Sequence, residues 1–455
     1  MSHRVSRRSF LRRAGAAGAL AWGAPSILKG QLNEQKLRVA FVGVGGRGAA
    51  HVKEAEENGC VCPCYCDVDT RRYGEAAKRW PDAKAYQDVR KMLEKEARHI
   101  DVVMVATPDH QHYPATILAM QMGKHVYVEK PLTHTIWEAR QLYLAHQKYP
   151  NLVTQMGNQG HANEGNRLMV EWITQGAIGT VKEAHCWTNR PIWPQPVRTP
   201  EGEDPVPPEL DWDCWIGPAP TRRYKAKTPD GKDVYHPFSW RGWWDFGGGA
   251  LADMACHTMD CVFWAMDPLP PVEVEVIECG EMPEGNFPKF SKLRFRFPAK
   301  GSQPAFDFYW YDGGLTPDKP AILEADRDMP KTGALFIGEK GGLLSAGDYG
   351  DSPRLIPEEH MKAVGKPTPT IERSPGHFKE FFMACRGEKP RDYARSNFGY
   401  AARFTELVLL GNLALRAGKG KTFGWNSKDL KVTGLPELQQ FVDKKYRSGW
   451  EFRSV

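Results

Sequence analysis

The sequence predicts an α/β protein: an N-terminal, doubly wound parallel sheet, then a C-terminal α/β domain carrying a large, mainly antiparallel open sheet. Three observations predict it. From residue 37 to 156, short apolar runs alternate with helix-patterned stretches, as in parallel strands joined by crossover helices. The chemistry-bearing residues of that half fall at strand carboxyl ends, where such sheets hold ligands: a glycine turn, Asp67, Thr107 to His110 and Glu129 to Pro131. From residue 272 to 345 the pattern changes to alternating apolar and polar positions, as in strands with one buried face.

The first element, Leu37 to Val42 (LRVAFV), runs directly into Gly43-Val44-Gly45-Gly46-Arg47-Gly48. A helical stretch, Ala49 to Asn58, follows, then a second apolar run, Cys60 to Cys66, that ends in Asp67. Strand, glycine turn, helix, strand and acid within one βαβ unit is the pattern of a dinucleotide site. Gly43 permits the tight turn, Gly45 lets backbone approach a pyrophosphate, and Gly48 lets the helix pack close to the strand. The helix N-terminus offers free N–H groups to phosphate. Asp67, 19 residues past Gly48, stands where an acid accepts from a ribose 2′-OH. Its charge favours NAD over NADP, because a 2′-phosphate would be repelled. Arg71 and Arg72 follow closely and could soften that preference, but they read first as solvated helix charges.

The next elements follow in order. Thr70 to Trp80 reads as a helix, Ala85-Tyr86 as a short strand and Val89 to Ala97 as a helix. Asp101 to Ala106 is a buried-type strand, Tyr113 to Met122 a helix with a Gly123 stop, and His125 to Val128 a strand. Thr133 to Lys148 is helical and Leu152 to Met156 closes the parallel sheet. Beyond it come a helix near Asn166 to Gln175 and a strand from Val181 to Asn189. Pro191 to Pro237, rich in Pro and Trp, reads as a long ordered loop. Antiparallel strands are expected at Val272 to Ile277, Leu293 to Phe297, Ala305 to Tyr311 and Ala334 to Ile337, with closing helices at His377 to Arg386 and Asn397 to Ala417.

The 455 residues suffice for about two domains, divided here as 36–157 and 158–455 after a leader at 1–35. The net charge of +6 includes five arginines in the first 13 residues, so the body is near neutral, without a basic stripe for nucleic acid. No apolar run reaches the ~18 residues of a membrane span. Of ten cysteines, Cys60, Cys62, Cys64 and Cys66 alternate, which would place all four on one face of their strand as small buried side chains. None of the spacings fits a metal site.

Ser6-Arg7-Arg8-Ser9-Phe10-Leu11-Arg12 precedes a mild apolar stretch, Ala14 to Ala24, as in a twin-arginine signal. This predicts passage through the twin-arginine export machinery to the periplasm or beyond, with no cysteine placed for a lipid anchor.

Over residues 36 to 425 the chain resembles the Gfo/Idh/MocA oxidoreductases, the glucose-fructose oxidoreductase and inositol dehydrogenase family. The resemblance rests on the glycine loop, on DVVMVATPDHQHYPATILAMQMGKHVYVEKPLTHT and on GGGALADMACHTMD. It implies a Rossmann domain, a second domain whose open sheet often forms a dimer or tetramer interface, and NAD(P)-dependent oxidation or reduction of CH–OH groups in sugars and polyols. It carries Lys130 over as the active-site lysine and Asp253 and His257 as the acid and histidine of the second domain. Thr107, Pro108, His110 and Glu129, with Lys130, match cofactor-lining positions.

Asp253 and His257 are i, i+4 and share a face if helical. Oxidising a carbinol requires loss of a proton from oxygen and of a hydride to nicotinamide. His257 is assigned as general base, Lys130 as the group stabilising developing alkoxide charge, and Asp253 as orienter or substrate ligand; the roles of His257 and Lys130 could be exchanged. Asn158, Gln159, His161, Arg190 and Arg241 are candidate hydroxyl or carboxylate ligands, and Trp193, Trp240, Trp243 and Trp244 are aromatics that could stack on a sugar or pack in the core.

Export away from a free NAD pool implies a tightly bound cofactor restored within the cycle. The expected activity is hydride transfer between that cofactor and a carbohydrate. The alternative is NAD-dependent glycoside cleavage through transient oxidation, although enzymes of that type often lack the lysine present here as Lys130. A non-catalytic sugar-binding protein is the third reading, disfavoured by intact Gly43, Gly45, Gly48, Lys130, Asp253 and His257.

Overall fold

The computed structural model describes residues 36–452, so the predicted signal at 1–35 lies outside the described residues. Among the described residues the strands form two sheets. The first contains Val39–Val42 (β1), Cys64–Cys66 (β2), Lys84–Tyr86 (β3), Val102–Val105 (β4), His125–Val128 (β5) and Thr154–Met156 (β6). All its pairings are parallel, in the order β3-β2-β1-β4-β5-β6. β1 and β4 are buried at every position, as strands covered on both faces must be. Crossover helices lie close to their predicted spans, among them Arg47–Glu57, His112–Gln121 and Ile136–Lys148. The last is started by a complete capping box between Thr135 and Glu138.

One expectation fails inside this sheet. The predicted strand from Cys60 pairs regularly only from Cys64, because Pro63 has no N–H for the ladder. The chain bends there, so the four cysteines do not share a face. Cys60 and Cys62 pack with Val39 and Phe41, whereas Cys64 and Cys66 pack with Ala40 and Val42 on the other side. All four are buried, as predicted.

The second sheet comprises Val181–Trp187 (β7), Glu273–Cys279 (β8), Ser291–Phe297 (β9), Phe306–Tyr311 (β10), Gly333–Gly338 (β11), Gly342–Ala346 (β12), Ser352–Ile356 (β13), Thr422–Asn426 (β14) and Lys431–Thr433 (β15). Its order is β13-β12-β11-β7-β10-β9-β8-β14-β15, antiparallel except for β7 beside β10. Alternation is clear in β9, where Leu293, Phe295 and Phe297 face the core and Lys292, Arg294 and Arg296 do not. The inner face packs on helices Gly249–Thr258 and Phe398–Ala417. The latter is apolar nearly all round, as a helix enclosed on all sides requires.

The boundary at residue 157 does not divide the core. Helix His377–Cys385 returns to the first sheet, and Phe378, Phe381 and Phe382 pack with Val39, Phe41 and Tyr127. The ordered loop expected at 191–237 extends from 188 to 246. It holds a short α-helix, Trp212–Ile216, a 3-10 turn, Ser239–Gly242, and its own aromatic cluster of Trp215, Tyr235, Trp240, Trp243 and Phe246. Its backbone bonds to the first domain, from Thr70 N–H to Glu209 O at 3.0 Å and from Asp211 N–H to Val68 O at 2.9 Å.

Candidate active site

A cleft of about 560 Å³ opens at the carboxyl ends of the parallel strands, between the first sheet, helix Gly249–Thr258 and the 188–246 loop. The glycine turn forms one wall. Gly43 has φ of +82°, a left-handed conformation that glycine adopts without strain. A Cβ on Gly48 would lie 2.0 Å from the Gly43 carbonyl oxygen, so the helix start is pressed against the turn. Gly46 φ is +53° and open space lies over it.

Arg47, at the helix start, donates from Nε to Glu129 Oε1 at 2.9 Å. The same oxygen lies 2.9 Å from His51 Nε2 and 3.3 Å from Gln159 Nε2. Burial pushes the Glu129 carboxyl up, but the His51 and Arg47 contacts outweigh it and hold the group well below the usual carboxylate range. Asp67 lines the cleft and accepts through Oδ2 from the N–H groups of Val44 at 3.0 Å and Gly45 at 3.3 Å. The predicted ribose acid thus braces the glycine turn. Arg72 also faces the cleft, its side chain against Gly45, and is no solvated helix charge.

At the other end, Lys130 Nζ donates to Asp253 Oδ1 at 2.9 Å and to the Asp253 carbonyl at 2.8 Å. Asp253 and His257 share one face of helix Gly249–Thr258, as their spacing predicts, and both line the cleft. Arg241 Nε approaches Asp253 Oδ1 at 3.3 Å, with its guanidinium over the rings of Trp240 and Phe238. Burial lowers the Lys130 pKa, but the charge and hydrogen bond of Asp253 and the charge of Glu129 together more than restore it, so the amine stays protonated. Burial raises the Asp253 carboxyl, yet Lys130 and Arg241 bring it down to about 2. Burial, with the neighbouring Lys130 charge, pushes His257 down to about 3, leaving it neutral.

The structure also brings in residues to which the sequence assigned no role. Asp109 lines the cleft, is buried, and accepts from the Gly248 N–H at 3.0 Å; burial raises it to about 7. Tyr349, in the turn between β12 and β13, places its ring 4.7 Å from that of His257 and stays 38% exposed. Trp450 comes from the far C-terminal segment.

Of the predicted residues, Gly43, Gly45, Gly46, Arg47, Asp67, Thr107, Pro108, Glu129, Lys130, Gln159, Arg190, Arg241, Asp253 and His257 line this one cleft. Gly48 supports it from behind. Four assignments fail. His110 is buried between the Phe246 and Trp215 carbonyls, at 3.2 and 3.1 Å, because the turn Asp109–Gln111 carries it inward. Asn158 is buried with Ser396 Oγ on its Oδ1. Trp243 is fully buried and donates to the Val234 carbonyl, and Trp244 donates to the Asn286 carbonyl under the Arg416 guanidinium. None of the four lines the cleft, nor does His161, buried with Nδ1 2.9 Å from Asp260 Oδ2, whereas Trp193 and Trp240 do.

Residues 37–156 match the model of an oxidoreductase family, NAD-binding Rossmann fold, and residues 179–303 match that family's C-terminal α/β domain. The chain belongs to the Gfo/Idh/MocA oxidoreductase family. Among its curated relatives are glycosyl hydrolase family 109 protein 1 of Shewanella sp. (strain ANA-3) and the alpha-N-acetylgalactosaminidase of Shewanella oneidensis, each 29% identical over 206 residues. The match covers 39% of this chain and 44% of theirs, so the chain spans under half the length of these relatives. Among solved structures, the WlbA dehydrogenase from Bordetella pertussis, in complex with NADH and UDP-GlcNAcA, superposes with a TM-score of 0.59 at 17% identity, covering 86% of this chain and 99% of that one. An aldose-aldose oxidoreductase from Caulobacter crescentus gives 0.55 at 14% identity, covering 86% and 100%. These likenesses concern the fold.

The cleft residues of this Gfo/Idh/MocA chain fit a nicotinamide dinucleotide. The turn offers backbone N–H groups at a helix N-terminus. Thr107 Oγ1, Trp215 Nε1 and His257 Nδ1, on three lining residues, are buried with no hydrogen-bond partner among the described residues. Such groups are costly unless something satisfies them.

Proposed function

We propose that this family member is a carbohydrate oxidoreductase that keeps NAD bound through its catalytic cycle. The observation that carries the reading is the Lys130–Asp253 pair beside His257, at the opposite end of the cleft from Asp67. Bound there, NAD would supply the hydride-accepting chemistry. The chain's own residues manage the proton. His257 is neutral and can take a proton from a substrate hydroxyl; Lys130 is charged and can donate to the same oxygen, stabilising alkoxide character. Lys130, held charged by Asp253, is assigned as electrostatic partner, and His257, whose Nδ1 is buried and unpartnered among the described residues, as proton acceptor. Asp253 holds the Lys130 amine at its post. The cofactor is read as NAD rather than NADP on the negative charge of Asp67 in the cleft wall. Arg241, Trp240, Arg190 and Tyr349 would meet the carbohydrate.

The reading includes export by the twin-arginine route, on the strength of Ser6 to Arg12, and assembly into dimers or tetramers. Glycoside cleavage by transient oxidation is the second reading, favoured by the family 109 relatives. Lys130 and its fixed partner favour the oxidoreductase. The test is made on the mature protein without added nucleotide. Single sugars are screened for absorbance of reduced nicotinamide at 340 nm, and aryl α-N-acetylgalactosaminides for release of the aryl alcohol. Absorbance with single sugars supports the first reading. Aryl alcohol release without it supports the second, and absence of bound or bindable NAD overturns both.

A further inference from the structure

We infer that two segments from beyond the first domain form a fixed roof over the adenine end of the cleft, and that this roof makes the nucleotide a resident group. The inference rests on the proposed NAD site and names what would retain the cofactor there.

The adenosine end lies past Asp67, toward the ends of β2 and β3. There the cleft is lined by Val68, Gln87 and Val89 from the first domain. The facing wall is Cys214, Trp215 and Trp450. Trp450 is only 2% exposed although it stands near the end of the chain. An open Rossmann cleft would leave that side to solvent.

Both segments are stapled down. Gln111 Nε2 donates to the carbonyls of Cys214 at 2.9 Å and Trp215 at 2.7 Å, tying the loop helix to the residues after β4. Gln87 Nε2 holds the Glu209 carbonyl at 3.0 Å, and His236 Nε2 lies 2.8 Å from Asp69 Oδ2. The C-terminal segment is fastened to the loop and to the first domain. Arg447 donates from its backbone N–H to Pro218 O at 3.0 Å and from Nε to Gly217 O at 2.9 Å, and its guanidinium pairs with Asp213. Arg90 lies 4.0 Å over the Trp450 ring and donates to the Gly449 carbonyl at 3.2 Å. A nucleotide leaving past its adenine must first break these contacts, so the roof acts on the rate of release.

Exchange measures this directly. The purified full-length holoprotein is mixed with excess isotope-labelled NAD, desalted at intervals, denatured, and its nucleotide analysed by mass spectrometry. Wild type should exchange with a half-time of hours. Trp450→Ala should exchange at least tenfold faster. Arg447→Ala, which removes the anchor without altering the cleft lining, should do the same and decides the matter if Trp450→Ala fails to fold. Wild type that binds NAD yet exchanges it within the mixing time would overturn the roof and leave the NAD site standing, as would anchored and unanchored proteins exchanging alike. A protein that binds no NAD at all would overturn the functional reading first and the roof with it.

Discussion

Asp109 Oδ2 accepts a 3.0 Å hydrogen bond from the Gly248 N–H, joining the residues after β4 to the start of the helix that carries Asp253 and His257. Its carboxyl is buried and raised to about 7, beside Arg241, Lys130 and Asp253. A raised carboxyl binds its proton more tightly in the folded than in the unfolded chain. Its contribution to stability is therefore full below the unfolded value of about 3.9 and is lost as pH rises toward 7. Asp109→Asn should remove that loss: relative to wild type, its denaturant midpoint should improve steadily from pH 4 to pH 7. Parallel midpoints across that range would refute the assignment.

Lys130→Met should lower turnover by at least about a hundredfold, in the range of losing one donor to a developing oxyanion. Bound NAD should remain near stoichiometric, because Lys130 sits at the chemical end of the cleft. Full turnover in this variant would remove the lysine from the mechanism.

Glu129 gathers Arg47, His51 and Gln159 around one carboxylate. Its folded pKa is depressed, so its stabilisation is present above the ordinary value of about 4.3 and is lost progressively as pH falls from there toward the much lower folded value. Glu129→Gln should cost about 2 kcal/mol at pH 7, discounted for the partly exposed Arg47. The deficit should shrink in acid, as read from unfolding midpoints at pH 7 and pH 3.

Gly48→Ala should destabilise the first domain by about 2 kcal/mol, because the new Cβ meets backbone rather than a movable side chain. NAD affinity should fall with it, measured by calorimetric titration. An alanine variant with wild-type stability would mean that the turn relaxes freely.

The sequence made the glycine turn and the strand ends legible because both depend on local spacing. Asp253 and His257 were legible for the same reason, once a helix was granted. Asn158, Trp243 and Trp244 were misplaced because nearness along the chain says nothing about side-chain direction. His110 fell to the single turn that carries it away from Pro108. Tyr349, Trp215 and Trp450 reach the cleft through long-range packing, and no periodicity marks them. Lone aromatics in the polar segment Tyr446 to Phe452 were the one available signal. Pro63 was readable as a strand breaker, and giving it weight would have separated the four cysteines.

The return of helix His377–Cys385 to the first sheet fixes an order of events during synthesis. When residues 36–157 have left the ribosome, Phe41 and Tyr127 still lack the phenylalanines that cover them. That covering layer arrives only after some 220 more residues have been made. A fragment cut after β6 would therefore carry an uncovered aromatic face for chaperones or for its own copies to seize.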